Sequence, residues 1–279
     1  MARRSGGRGT SARLAGTVAM VLVLGACGSG GKARPIAAPA PTTGLAPTTV
    51  APTTTAPPAP VTTTTEPAPL LSTLATAKPA IHSVDIYASP VQPEPARELD
   101  NPQPSGAAPG STFPLRMLVV EDRGDWLKVL LPIRPNGSSG WVQRSAVDLQ
   151  TNDFRALVEL GEHRITVWKG NEVFMEESVG VGASGRTPTT QGLFFTTELY
   201  VVTPSQQAAY GPYAFALSGF SEVHYSFGDG GTGVLGLHGT SDTSSLGRDV
   251  SNGCIRMSNS GITKLAKAMP LGTPVEVRA

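Results

Sequence analysis

Cysteine is scarce in this chain of 279 residues, which contains two, Cys27 and Cys254. Charge is almost balanced, with 22 Lys and Arg against 21 Asp and Glu, so the net charge argues neither for nor against a polyanionic partner. The sequence also lacks the basic patch with interleaved aromatic residues that nucleic-acid binding proteins show. No compact set of metal ligands occurs at a recognised spacing. We therefore predict no nucleic-acid partner, no metal and no cofactor.

Long apolar runs are limited to one, at residues 14–26 (LAGTVAMVLVLGA), which follows four arginines. This is the layout of a bacterial export signal, and the run is too short to span a bilayer comfortably as a mature helix. The residues LGAC, ending at Cys27, resemble a lipobox, in which the cysteine is lipidated and becomes the new N-terminus. Residues 1–27 are thus predicted to be a lipoprotein signal peptide. An ordinary secretory signal or a short anchor is the alternative.

Lipidation would use the thiol of Cys27 and leave no second cysteine for a disulfide with Cys254. A thiol in an exported protein faces an oxidising compartment, so it is a liability unless it is buried or used. Residues 28–80 are predicted to be a tether, because residues 35–69 hold 10 Pro, 11 Thr and one charge and such a segment cannot bury a core. These features predict a lipid-anchored protein on the extracytoplasmic face of the cell membrane.

Residues 81–150 are predicted to be a small β module. Two short apolar runs, FPLRMLVVED and DWLKVLLP, are followed by RPNGSSGWV, in which Asn136-Gly137 favours a hairpin. This part resembles a bacterial SH3-like β-barrel module, with Trp126, Trp141 and Val142 at the family's motif positions. The insert VQPEPARELDNPQPSGAAPG departs from the compact pattern of that family. What the module binds stays open.

Residues 151–279 are predicted to be a second domain that is mainly β. Five strand-like segments, ALVEL, RITVWK, VFMEESVGV, GLFFTTELYVV and VLGLHG, are separated by Gly, Pro and Asn. Near the end, Ile262, Leu265 and Met269 recur at helical spacing, with Ser258 or Ser260 available as the N-cap. One short C-terminal helix and a last strand, PVEVR, are therefore expected.

His238 and Cys254 form a candidate pair of base and nucleophile, 16 positions apart. A thiol becomes a good nucleophile as its thiolate, and a neighbouring imidazole that accepts its proton supplies that state near neutral pH. Glycines flank both residues, and the amides of Gly253 and Cys254 are candidates to face a developing oxyanion. From the residues alone, two buried side chains without chemistry remain an alternative.

Three motifs in this region resemble the L,D-transpeptidase catalytic domain family, the penicillin-insensitive cysteine enzymes that cross-link peptidoglycan. They are TPTTQG within residues 185–195, LHGT around His238 and SNGCIRM around Cys254, in the family's order. The resemblance implies a β-sandwich-like catalytic domain over residues 151–279. It also implies that Cys254 is the acylated nucleophile and His238 its base.

Other roles follow from the same resemblance. Ser251, Gly253 and Arg256 fall on motif positions, and the imidazole of His238 would be oriented by a backbone carbonyl, for which Gly239 is the candidate. Arg256 would either clamp a substrate carboxylate or hold the loop in a structural ion pair. Asn252 stands where many members have histidine, which removes a second imidazole from the mechanism.

Aromatic residues cluster before His238 and would form either a groove for a peptide stem or part of the core. They are Tyr210, Tyr213, Phe220 and Tyr225. We select Tyr225 as a substrate-binding candidate, together with Asn252 and Arg256. His224, beside Tyr225, is interpreted as a strand or loop histidine rather than a ligand.

The function implied is peptidoglycan L,D-transpeptidation, which joins stem peptides through 3-3 cross-links by ping-pong acyl transfer. The partners are then a donor tetrapeptide and an acceptor amine, carbapenem-type inhibitors are expected to acylate Cys254, and nothing demands more than a monomer. An L,D-carboxypeptidase or a non-catalytic cell-wall-binding lipoprotein are the alternatives. Sortases lack the close HGT to GC spacing, and cell-wall peptidases with Cys before His have the opposite order.

Overall fold

A computed structural model describes residues 70–105, 110–225 and 232–279. The predicted signal peptide with Cys27, and most of the predicted tether, lie outside the described residues. Within the described ranges, no helix combines the length and the apolar character needed to cross a membrane. The prediction of a mainly β protein is confirmed.

Residues 70–152, called the amino-terminal module below, contain the first nine strands. They are β1 (Ser72–Ala77), β2 (Ser83–Ile86), β3 (Arg97–Asp100), β4 (Gln103–Pro104), β5 (Thr112–Phe113), β6 (Arg116–Arg123), β7 (Trp126–Leu130), β8 (Ser139–Gln143) and β9 (Val147–Asn152). Five of them form an antiparallel sheet in the order β8-β7-β6-β1-β9, while β2 pairs with β3 and β4 with β5. The SH3-like assignment stays a prediction.

The predicted end of the tether at residue 80 is wrong, because β1 pairs with β6 on one side and β9 on the other. Leu74, Ala75 and Ala77 of this strand are buried in the core of the module. Their sequence, STLATA, is rich in Thr and Ala like the tether before it. Composition therefore gave no sign that the chain had entered a sheet.

The hairpin indicated by Asn136-Gly137 is present between β7 and β8. Alternate residues of β7, Leu127 and Val129, are buried, as a strand with one face on a core requires. The connection, residues 131–138, is closed by a hydrogen bond from Leu131 N to Ser138 O, and Gly137 has a positive φ of 78°. The tip of this hairpin reaches the other half of the protein.

The remaining strands and the helices lie in residues 153–279. They are β10 (Phe154–Glu159), β11 (Arg164–Lys169), β12 (Glu172–Ser178), β13 (Val181–Gly182), β14 (Gly192–Val201), α1 (Gln207–Tyr210), β15 (Tyr213–Phe220), β16 (Val234–Thr240), β17 (Asp249–Ser251), β18 (Ile255–Ser258), α2 (Asn259–Ala268) and β19 (Pro274–Arg278). Eight strands form one sheet in the order β12-β11-β10-β19-β14-β15-β16-β18, and β13 pairs with β17.

The predicted C-terminal helix is confirmed as α2. Its N-cap is Ser258, whose hydroxyl accepts a hydrogen bond from Gly261 N, and it ends before Pro270. Ile262 and Leu265 are fully buried against the sheet, in the same core as Leu237 and Ile255. The helix therefore supports the two strands that carry the candidate site.

The parallel pair β16 and β18 sets the positions of the candidate base and nucleophile. Leu237 lies opposite Ile255, and His238 opposite Arg256. Residues directly opposite each other on paired strands lie on the same face of the sheet, and successive residues along a strand alternate between faces. His238 and Arg256 therefore lie on one face, and Leu237 and Ile255 on the other. Cys254 stands directly before β18, level with Gly236.

The two halves of the described chain are joined by buried polar contacts. At the end of β9, Asn152 is 6% exposed, and its Nδ2 donates to Thr273 Oγ1 over 3.0 Å. Its Oδ1 accepts from Phe154 N over 2.6 Å. One side chain thus satisfies polar groups of the junction and of the loop before β19.

Asn152→Ala is expected to lower the free energy of unfolding by about 2 kcal/mol, because the buried amide of Phe154 loses its acceptor and the buried hydroxyl of Thr273 loses its donor while keeping its bond to Pro270 O. Chemical denaturation of both proteins measures the difference. Gln150→Ala, at an exposed position of the same strand, is the matched control and should change stability little. Equal stabilities for the two variants would contradict the role given to Asn152.

Candidate active site

His238 is held by its own backbone neighbour. Its Nδ1 lies 2.7 Å from the carbonyl oxygen of Gly239, and since a carbonyl oxygen accepts, Nδ1 carries the proton. The lone pair is then on Nε2, the form needed in a general base. The imidazole is 3% exposed, and the ring of Tyr210, at the end of α1, meets it edge-on with centroids 5.0 Å apart. The carbonyl predicted to orient the histidine is therefore in place.

Close packing around Gly239 keeps that carbonyl fixed. A side chain at Gly239 would collide with Asn259 Oδ1 and Ile262, both on α2, and one at Gly211 would collide with Gly239 itself. The backbone of β16 is thus pressed between α2 and the turn after α1. Glycine is needed at position 239 because no Cβ fits there.

Burial sets the protonation state of His238. It lowers the pKa of the imidazole from 6.5 to about 4, the hydrogen bond to the Gly239 carbonyl opposes this, and the positive charge of Arg256 adds to the lowering. The side chain is consequently neutral at pH 7 and able to accept a proton. No acidic partner is needed to fix its orientation.

Cys254 and His238 border the same small space, which Gly236 leaves open. A Cβ built on Gly236 would lie 3.5 Å from Cys254 Sγ and 3.6 Å from His238 Cδ2. Cδ2 is the ring atom next to Nε2, so the accepting edge of the imidazole lies on the side of the thiol. Cys254 is half-buried.

Residues 251–254, called the SNGC turn below, present the cysteine. The hydroxyl of Ser251, 2% exposed, donates to Cys254 O over 2.6 Å and accepts from Gly253 N over 3.1 Å. Gly253 has a φ of +115°, which other residues rarely adopt. The expectation that the Gly253 amide faces an oxyanion is wrong, because this amide donates to Ser251. The oxyanion role of the Cys254 amide stays a prediction.

The TPTTQG segment holds the SNGC turn from the other side. Ser251 O accepts hydrogen bonds from Thr187 Oγ1 over 2.8 Å and from Ala183 N over 3.0 Å. The carbonyl oxygen of Pro188 would lie 3.6 Å from a Cβ on Gly253. The TPTTQG motif by itself assigns no role to Thr187, although a Thr beside such a turn is a candidate anchor.

Arg256 faces the site with an unsatisfied donor. Its backbone is bonded in both directions to Gly180, each over 2.8 Å. Its Nε is buried without a hydrogen-bond partner, and no ion pair between described residues involves it. The alternative of a structural ion pair therefore loses its support. A guanidinium with a buried spare donor is suited to a carboxylate.

The other substrate-binding candidates lie on the surface. Asn252 is exposed at the tip of the SNGC turn, and Tyr225 is 75% exposed with its ring against the Arg134 guanidinium. The carbonyl of His224 accepts from the same arginine. Among the described residues, no three His, Cys, Asp or Glu side chains are grouped to hold a metal ion.

One contact of the site gave no signal in the sequence. His163, in the turn between β10 and β11, has a positive φ of 48°, and its Nε2 lies 2.7 Å from Asp249 Oδ1. Asp249 begins β17, which leads into the SNGC turn. The pair ties that strand to a turn 86 residues earlier in the chain.

The lowered pKa of His238 predicts a pH dependence of stability. Between pH 6.5 and about 4 the unfolded chain takes up a proton on this residue that the folded chain does not, so the free energy of unfolding falls as the pH falls. Replacement by glutamine removes this contribution. The loss from pH 6.5 to 4 should be about 2 to 3 kcal/mol larger in the wild type than in His238→Gln.

Denaturation at a series of pH values measures this difference. His82→Gln, at an exposed histidine, serves as the control and should follow the wild type. A His238→Gln variant with the same pH dependence as the wild type would show that the imidazole is not kept neutral by burial.

Comparison with known proteins gives a consistent result. The family model for the L,D-transpeptidase catalytic domain (YkuD) matches residues 153–277. YkuD of Bacillus subtilis strain 168, named as an L,D-transpeptidase, is 30% identical over 131 residues, which are 47% of this chain and 69% of that protein. Its namesake in Bacillus licheniformis is 30% identical over 127 residues, 46% of this chain and 67% of that protein.

A solved structure of an L,D-transpeptidase from Stackebrandtia nassauensis is 19% identical, with a TM-score of 0.34. The matched region covers 45% of this chain and 55% of the chain in that structure. The residues matched by the family model include both motif-bearing strands, β16 and β18, and the TPTTQG segment. The chain therefore belongs to the L,D-transpeptidase family and carries its catalytic domain at residues 153–277.

Proposed function

We propose that this protein is a peptidoglycan L,D-transpeptidase that forms 3-3 cross-links between stem peptides through a thioester on Cys254. The observation that carries the proposal is the shared space at Gly236, which is bordered by the thiol of Cys254 and by one edge of the buried, neutral imidazole of His238. Membership of the family supports the reaction class.

The first half-reaction uses the two side chains as nucleophile and base. His238 Nε2 takes the thiol proton as the sulfur attacks the carbonyl carbon of the third residue of a tetrapeptide stem, in the peptide bond to D-Ala. Collapse of the tetrahedral intermediate breaks the peptide bond. The proton returns from His238 to the leaving amine, D-Ala departs and a thioester remains on Cys254.

The second half-reaction reverses these roles with a different nucleophile. The side-chain amine of the third residue of another stem attacks the thioester, His238 takes its proton, and Cys254 leaves with that proton as the thiol. If water attacks instead, the product is a tripeptide and the enzyme acts as an L,D-carboxypeptidase. The outcome depends on how well the acceptor amine is positioned at the thioester.

Arg256 is the candidate for recognition of the substrate. Its Nε is a buried donor without a partner, which is costly unless a ligand satisfies it. A stem peptide brings carboxylates, and a planar guanidinium binds a carboxylate through two parallel hydrogen bonds. We assign Arg256 to a carboxylate of the donor stem. Its positive charge also helps to keep His238 neutral.

The cellular setting of this proposal comes from the sequence. Lipidation at Cys27 would hold the enzyme on the outer face of the cell membrane, and the Pro and Thr-rich segment would let it reach the wall. At about 3.1 Å per residue, the roughly 40 residues between Cys27 and β1 extend to on the order of 120 Å. The amino-terminal module would then be an SH3-like part of a monomeric enzyme that works without a cofactor.

Incubation with disaccharide-tetrapeptide tests the proposal. Mass analysis of the products should show a dimer that has lost one D-Ala, because the acyl group is transferred to a second stem. Cys254→Ala should form no product, and His238→Ala should be slower by about 100-fold to 10,000-fold, the usual contribution of a general base.

Both variants must retain the far-ultraviolet circular dichroism of the wild type for the comparison to hold. Tripeptide without dimer would replace the transpeptidase by the carboxypeptidase. Absence of both products with folded wild-type protein would favour a non-catalytic wall-binding protein instead.

A further inference from the structure

The tip of the β7–β8 hairpin reaches out of the amino-terminal module and contacts the chain just before β16. This contact is made chiefly by Arg134 and Asn136, which lie in the connection between β7 and β8. Their partners lie in residues 220–225 and at Thr232. These residues follow β15 and precede the strand that carries His238.

Arg134 binds both limbs of the β15–β16 connection. Its Nη1 donates to Ser221 O over 2.8 Å, and its Nη2 donates to His224 O over 3.1 Å and to Thr232 O over 3.4 Å. The guanidinium carbon lies 4.8 Å from the ring centre of Phe220 and 4.7 Å from that of Tyr225. A planar guanidinium with several donors can make all these contacts at once, whereas an ammonium cannot.

Asn136 adds a reciprocal pair of hydrogen bonds to the same segment. Its Nδ2 donates to Phe220 O and its Oδ1 accepts from Phe220 N, both over 2.8 Å. The side-chain amide therefore pairs with the backbone of Phe220 as a neighbouring strand would. The pairing fixes the last residue of β15 relative to the module.

Phe220 links this contact to the active site. Its carbonyl oxygen also accepts from Thr190 Oγ1 over 3.1 Å. Thr190 belongs to the TPTTQG segment, whose Thr187 holds Ser251 and whose Pro188 borders Gly253. Hydrogen bonds and close packing thus connect the hairpin tip to the SNGC turn through one strand end and one loop.

A second route runs along the sheet. Phe220 pairs with Val234, the first residue of β16, and Ser221 N donates to Gly233 O over 2.8 Å. Leu235 follows Val234 in β16, and its Cδ2 would lie 3.8 Å from a Cβ built on Gly253. The hairpin tip therefore anchors the start of the strand on which Gly236 and His238 lie.

We infer that Arg134 and Asn136 are positioning residues of the enzyme, through which the amino-terminal module fixes the side of the active site that binds the stem peptide. The inference rests on the proposed function for its substrate. The two residues bind the backbone of Phe220, Ser221, His224 and Thr232, and act on the site through that segment. The stem peptide is placed along residues 220–225 by this inference, so loss of either residue should weaken its binding while the thiol itself keeps its reactivity.

Kinetics of the full-length protein with disaccharide-tetrapeptide test this inference. Arg134→Ala should lower kcat/KM about tenfold, chiefly by raising KM, because binding contacts are lost while the reacting groups are kept. Arg134→Lys, which keeps the charge but not the planar stack, should show a smaller loss. Asn136→Ala should change KM in the same direction as Arg134→Ala.

Alkylation of Cys254 by iodoacetamide supplies the second readout, since this small reagent needs no peptide-binding surface. Its rate in the Arg134 and Asn136 variants should stay within about twofold of the wild type. The matched control is Arg123→Ala, which removes an exposed arginine that stacks on Trp141 within the module, 4.6 Å from the ring centre. This control should leave kcat/KM unchanged.

Values of kcat/KM in Arg134→Ala and Asn136→Ala that match Arg123→Ala would overturn the inference. Equal losses in peptide turnover and in alkylation would also overturn it, since they would show damage to the nucleophile. If Arg134→Ala does not fold, Arg134→Lys and Asn136→Ala decide by the same criteria. A wild-type protein that turns over no peptide would instead refute the proposed function, on which the inference depends.

Discussion

The candidate site depends on one hydrogen bond inside the sheet, from His238 Nδ1 to the carbonyl oxygen of Gly239. It fixes the tautomer, so Nε2 is the basic atom, and it fixes the ring at the edge of the space left by Gly236. An acidic residue in place of the carbonyl would raise the pKa of the imidazole and favour its charged form. Here the carbonyl orients the ring while burial keeps the pKa at about 4.

The rest of the domain keeps that arrangement rigid. The pairing of β16 with β18 places His238 directly opposite Arg256. Helix α2 packs against the other side of β16 near Gly239. The SNGC turn, which carries Cys254, is closed by Ser251 and held by Thr187, whereas the ring of His238 is oriented by the carbonyl of Gly239. The hairpin tip of the amino-terminal module then joins the strand end at Phe220 to the same framework. The contacts of the SNGC turn and those of the hairpin tip thus meet at the TPTTQG segment, through Thr187 and Thr190.

Much of the fold was predictable where the pattern was local. The strand RITVWK, the strand PVEVR and the helix capped by Ser258 lie where the sequence places them, because alternation and capping are set by near neighbours. Strand β1 was missed, since STLATA resembles the tether and becomes a strand through pairing with β6 and β9. The pair of Cys254 and His238 was predictable from motifs. The use of the Gly253 amide by Ser251, the spare Nε of Arg256 and the reach of Arg134 across to Ser221 were not, because each depends on tertiary geometry.

The most direct test of the proposed nucleophile is the intact mass of the full-length protein after incubation with a carbapenem, compared among the wild type, Cys254→Ala and His238→Ala. We predict an adduct of the mass of the drug on the wild type, no adduct on Cys254→Ala, and slow formation on a folded His238→Ala, since the thiol then lacks its base. A folded wild type that gains no mass, or an adduct that persists in Cys254→Ala, would contradict the claim that Cys254 is the nucleophile.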